Sequence, residues 1–202
     1  MLTLIRDPDA ALWLVSQNRD WWDLVVRGPL GFADYGRLLF IPDPVRPHMR
    51  ESDVAGVPGP SETEQIAGAV RTLAAHTTTP DECFFLVWNG WGNSPAAAPY
   101  SAPPVRVVHP PSGSAAREYY VLSGTLDDMS AWHTAGSAWT DAHDAPIPAY
   151  IWPADRAWCV TNDVDPHFAT IAGTTDAIDE LIAAPGFTVV RDDPDEDPPR
   201  YE

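Results

Sequence analysis

The segment AYIWPADRAWCVTNDVDPHFATIAG (residues 149–173) contains three apolar runs, AYIW (149–152), AWCVTND (157–163) and FATIAG (168–173). Each is short, rich in β-branched and aromatic side chains, and bounded by proline, aspartate or glycine, which is the pattern of strands. Working outward, VRVVH (105–109), EYYVLSG (118–124), CFFLVWNGWG (83–92) and the run Tyr35–Ile41 precede them, and FTVVR (187–191) follows. Strand after strand with few intervening helices points to an α+β fold with a mainly antiparallel sheet of six or seven strands, and not to a βαβ repeat. The unbroken apolar run in 83–92 suggests a strand buried on both faces.

Three main helices complete the expectation. Asp7-Pro8 supplies a cap and a first-turn proline for a helix over about 8–17. Ser61 with Glu64 forms a capping box, and Ile66, Ala69, Val70, Leu73 and Ala74 repeat at helical spacing, so a helix is expected over about 62–76. Thr174 or Thr175 caps a last helix, to about 184, in which Ile178, Leu181 and Ile182 share a face. Trp21, Trp22, Leu24, Val25 and Val26 run apolar up to Gly28-Pro29, which stops any regular element there. Pro-rich loops are expected at 42–60 and 93–104. Residues 1–191 read as one domain, and the acidic, proline-rich tail 192–202 as flexible or draped on the surface.

A chain of 202 residues is long enough to bury roughly 70% of its unfolded surface in one core without staples. Its charge is lopsided, with 29 acids against 12 bases and a formal net charge of −17. Every base is Arg and there is no Lys, which reads as the product of a GC-rich genome. Such a field repels phosphates and anionic headgroups, arguing against nucleic acid or a membrane surface as partner and suiting a basic protein. The same charge also serves solubility alone. The two cysteines, Cys83 and Cys159, lie in apolar runs and form no disulfide framework. No apolar stretch has the length of a membrane span, and the N-terminus lacks a signal-peptide pattern, so a cytoplasmic protein, monomeric or weakly dimeric, is expected.

The densest concentration of chemistry is 152–168. Asp163, Asp165 and His167 alternate, as metal ligands on one side of a strand would, but Pro166 interrupts them, and an Asp-rich turn explains them equally. Cys159 has no base beside it, although six histidines (48, 76, 109, 133, 143 and 167) are available in space. A buried structural thiol is the simpler reading, and neither a metal nor another cofactor is assigned. Arg156 either holds an anionic ligand or reaches back to a carboxylate and locks the 152–156 turn. Trp88, Trp91, Tyr119 and Tyr120 are either core aromatics or a platform for a ligand or partner. No phosphate loop, nucleophile elbow or zinc-finger spacing is present.

The combination GFADYGRLLFIPDP (31–44), HTTTPD (76–81), WNGWG (88–92), REYY (117–120), WPADRAWC (152–159) and DVDPH (163–167) resembles a group of acidic actinobacterial proteins with no established activity. That resemblance implies a single cytoplasmic domain and nothing about function. In acidity, tryptophan content and α+β arrangement the chain is also similar, at the level of class, to Smi1/Knr4-related immunity proteins, which bind and neutralise toxins. The favoured expectation is a non-enzymatic protein-binding domain, of immunity or regulatory type, with Trp88, Trp91, Tyr119 or Tyr120 exposed among acids. The alternative is an enzyme or small-molecule-binding protein with a cleft where Arg156, Asp163, Asp165 and His167 converge.

Overall fold

The capping box at Ser61 forms as the sequence expects. Ser61 Oγ accepts from the Glu64 backbone N–H at 3.3 Å, while the Glu64 carboxylate accepts from the Ser61 N–H at 2.7 Å. The computed structural model describes residues 1–54, 59–91, 104–108, 113–132 and 146–202. Helix α3 (Glu62–Leu73) buries Ile66, Ala69, Val70 and Leu73 and runs on into a 3-10 turn, Ala74–His76. Helix α1 (Asp9–Val15) follows Pro8, with Asp7 Oδ1 accepting from the Asp9 N–H. Helix α5 (Thr175–Ala183) is capped by Thr174, and a short α4 (Leu126–Ser130) starts at a second capping box, Thr125 with Asp128.

The apolar run after Asp20 is also a helix, α2 (Trp21–Arg27). Asp20 Oδ1 accepts from the Trp22 N–H at 2.9 Å, so the cap and not the apolar pattern sets its start. Gly28 ends it with φ 74°, and a Cβ there would lie 2.2 Å from Thr161 Oγ1. Glycine thus lets the end of α2 press directly on the sheet.

The strands are β1 (Thr3–Leu4), β2 (Asp34–Leu39), β3 (Cys83–Trp88), β4 (Val105–Val108), β5 (Ala115–Gly124), β6 (Tyr150–Pro153), β7 (Cys159–Thr161), β8 (Phe168–Gly173) and β9 (Thr188–Asp192). Among the described residues they form one nine-stranded sheet in the order β1-β5-β3-β6-β7-β8-β2-β9, with β4 paired to β5, and each of these pairings is antiparallel. The fold is therefore α+β. Nine strands replace the expected six or seven, in part because a strand of two residues such as β1 leaves no pattern in the sequence.

Helices cover both faces. On one, α3, α4 and α5 pack over Phe85, Leu122, Ile151, Trp158 and Ile171. On the other, α1 and α2 pack over Leu86, Tyr119, Tyr150, Trp152 and Cys159. Phe85 and Val87 face the first layer and Leu86 the second, so β3 is buried on both sides as its sequence suggests. Two of the buried polar tips reach backbone carbonyls: Trp158 Nε1 donates to that of Leu73 at 3.0 Å and the Tyr150 hydroxyl to that of Leu24 at 2.8 Å. Among the described residues no helix is long and apolar enough to cross a membrane.

Candidate functional site

The four polar residues picked out of 152–168 go to three different places. At the end of β6 the clasp of the turn is Asp155, not Arg156. Asp155 accepts from Thr77 Oγ1 at 2.9 Å, from the Thr78 N–H at 2.7 Å and from the Ala157 N–H at 3.1 Å. Burial pushes its carboxyl up, but these donors outweigh burial and hold it below the usual carboxylate range. Arg156 reaches no carboxylate among the described residues. It takes φ 54°, and its guanidinium lies over the Trp13 ring at 5.1 Å.

Asp163 faces Arg117 instead, with Nε at 3.3 Å and Nη2 at 3.2 Å, and Asp165 stands 3.6 Å from the same guanidinium. Arg117 in turn lies over the Trp88 ring at 4.8 Å. Trp88 and Asp163 are thus brought together by an arginine that only the REYY motif had marked. Tyr119 and Tyr120 do not form an exposed platform. Both are buried, because β5 lies inside the sheet between β3 and β4 with packed layers on both faces, and Tyr119 stacks edge-on against Tyr150 at 5.5 Å. Trp91 lies in the 3-10 turn Asn89–Trp91, and its side chain falls outside the described residues, as do all but the last residue of the expected loop at 93–104 and His109, His133 and His143.

The thiols are unsuited to attack. Cys83 and Cys159 are fully buried, and burial pushes each thiol up to about 12, away from the thiolate a nucleophile needs. Among the described residues no group of three or more His, Cys, Asp or Glu is placed to hold a metal ion, so Asp163, Asp165 and His167 do not form one.

His167 turns away from Asp163 and enters a chain of buried charges. Its Nε2 meets Asp43 Oδ1 at 2.9 Å. Asp43 takes both Nη atoms of Arg37, at 2.7 and 3.0 Å. Arg37 Nε reaches Asp192 at 3.1 Å, and Asp192 binds Arg27 at 2.7 Å. Burial alone would lower the Arg37 pKa and raise that of Asp43, yet their mutual bonding wins, so Arg37 is held higher and Asp43 lower than usual. The C-terminal segment is fastened to this chain. Arg27 donates to the carbonyls of Asp193 and Glu196, Pro198 is buried, and the Tyr201 hydroxyl donates to the Pro42 carbonyl. The tail is draped and anchored, despite a composition that suggested looseness. Together with α2 and the start of β8 it encloses a cavity of about 210 Å³ onto which both Asp165 and His167 open.

A second region gathers carboxylates. The turn 77–82, the start of α4 and the turn 153–156 adjoin one another, since the Leu126 N–H donates to the Pro80 carbonyl and the Ala154 N–H to the Glu82 carbonyl. Asp81, Glu82, Asp127 and Asp155 are exposed on these elements. After burial, the carboxylates of Asp155, Asp81 and Glu82 are what raise the neighbouring Cys83 thiol, a sign that their fields converge. No protein-family model, curated protein or solved structure matches the chain.

Proposed function

We propose that the chain is a non-enzymatic binding domain, of immunity or regulatory type, that receives a basic protein partner on its acidic surface. The observation that supports this best is how seven of the twelve arginines are spent. Arg27, Arg37, Arg106, Arg117 and Arg191 each face a carboxylate of the same chain, Arg19 donates to the Gly28 carbonyl, and Arg156 lies over Trp13. Asp81, Glu82 and Asp127 stay exposed and face no cation among the described residues. The Met1 ammonium holds the neighbouring Asp128, and a basic surface arriving there meets three further carboxylates with no ion pair of their own among the described residues, which speeds encounter and sets orientation. The apolar contribution comes from Leu12 and Trp13, close to Arg156, and not from the buried tyrosines.

Affinity capture from native cytoplasm, at low and high salt, tests this with wild-type bait and with a D81N/E82Q/D127N bait. The expected result is a basic protein captured by wild type at low salt, lost near 1 M salt where screening acts within about 3 Å, and lost with the variant. A partner that is retained at high salt and by the variant would overturn the proposal. One observation favours the second reading, a small-molecule site beside residues 152–168: Asp165 and His167 share the cavity under the C-terminal segment.

A further inference from the structure

The cavity beside His167 has about 210 Å³ of room, the liquid volume of roughly seven waters. That is below the size of sites that enclose nucleotide- or drug-sized molecules, and it suits a compact ion or a small organic molecule. Its walls are aromatic: Trp22 from α2, Phe168 from β8, Tyr201 from the C-terminal segment, and the ring of His167. His167 stands edge-to-face between Phe168 and Tyr201, with centroids 5.2 and 4.8 Å away, and its bond to Asp43 fixes the ring. Phe168 already carries the Arg37 guanidinium over its ring at 5.1 Å. The half-buried rings of Trp22 and Tyr201 are the walls that a ligand can reach.

The mouth is acidic. Glu51 and Asp165 line it beside Arg200, which lies 4.0 Å from the carboxylate of Asp197, and Arg117 stands 3.6 Å from Asp165, so among the described residues Glu51 is the lining carboxylate that faces no cation. The Tyr201 phenol senses this field: burial first, and then the carboxylates of Asp43, Glu51 and Asp53, raise it above its ordinary value. Such a mouth repels anions. A neutral apolar ligand would fill the walls and leave the carboxylates unused, and an inorganic cation would find no cluster of three ligands among the described residues. Aromatic faces and carboxylates together stabilise a diffuse, weakly hydrated cation.

We infer that this cavity is a cage for a small organic ammonium ion of the trimethylammonium class, with the faces of Trp22 and Tyr201 against its methyl groups and Glu51 as its main counter-ion, helped by Asp165, which it shares with Arg117. The inference rests on the small-molecule reading of the cavity and is independent of the acidic end of the sheet.

Calorimetric titration of the full chain with choline tests it, beside choline's uncharged isostere, in which a quaternary carbon replaces the nitrogen. Choline is expected to bind roughly tenfold or more tightly than the isostere, the scale of a desolvated cation–π contact. Trp22→Leu and, outside the sheet, Tyr201→Leu are each expected to abolish that preference, and Glu51→Gln to reduce it. A peptide bearing trimethyl-lysine that binds more tightly than choline would place the same ammonium chemistry on a protein side chain. Equal binding of choline and isostere would overturn the ammonium cage while leaving a small-molecule cavity. Binding of neither would overturn both.

Discussion

Replacing Asp192 by alanine measures how firmly the C-terminal segment is locked to the sheet. The Asp192 side chain is 6% exposed and lies 2.7 Å from Arg27 and 3.1 Å from Arg37, whose own side chains are 5% and 6% exposed. Without it, Arg27 keeps only the carbonyls of Asp193 and Glu196, and Arg37 keeps Asp43. Removing one member of a buried pair costs about 3–5 kcal/mol, because the surviving charge stays desolvated. The partners left to both arginines place this variant at the low end, about 3 kcal/mol. For a chain of this size each kcal/mol shifts the melting midpoint by about 2–4 °C, so a drop of roughly 6–12 °C is expected. Urea unfolding followed by tryptophan fluorescence gives the free energy and shows whether the slope is unchanged. Arg106→Ala is the control, since the Arg106–Glu118 pair is exposed and such pairs contribute at most about 1 kcal/mol. An Asp192→Ala variant no less stable than the control would refute a buried charge lock.

The two cysteines are expected to be inert to Ellman's reagent in the folded chain at pH 8 and to react once the chain is unfolded; fast reaction of either in the native state would contradict their burial. Asp43 and Asp155 have folded pKa values below their unfolded ones, so their stabilisation is full above the unfolded value of about 3.9 and is lost as pH falls through the lower folded values. Unfolding free energy should therefore decline below about pH 4, and Asp155→Asn, which also weakens the bonds to Thr77 and Thr78, should flatten that decline while costing about 1–2 kcal/mol at neutral pH. Gly28→Ala is expected to cost at least ~2 kcal/mol in urea unfolding, because a Cβ would strain a positive φ and strike Thr161. Ser61→Ala should cost about 1 kcal/mol through the lost cap, read the same way.

What could be read in advance was what short-range chemistry determines. The capping box at Ser61 and Glu64, the last helix after Thr174 and the strands of 149–173 all announce themselves within a few residues. Helix α2 did not, because Trp21, Trp22, Leu24, Val25 and Val26 are too continuously apolar to show a period. Its signal was Asp20, two residues before the amide that it caps. Tyr119 and Tyr120 looked available because alternation places them on opposite faces, but a strand flanked by β3 and β4 and covered on both faces buries each of them. The cavity depends on contacts across 124 residues between Asp43 and His167 and across 165 between Arg27 and Asp192. No local pattern encodes such a meeting. One trace was present: Arg37 sits alone in the apolar run of β2, and a charge in that position calls for a buried partner.

The binding surface is tested most directly by carbodiimide coupling to a lysine-rich basic peptide, with the joined residues identified by mass spectrometry. The chain has no Lys, so each carboxylate joined to a lysine amine marks a contact with the peptide. Coupling is expected to concentrate on Asp81, Glu82 and Asp127 and to fade as salt is raised. Coupling spread over every exposed acid, with Asp7, Asp195 and Asp197 labelled as strongly as those three, would contradict a defined acidic docking surface.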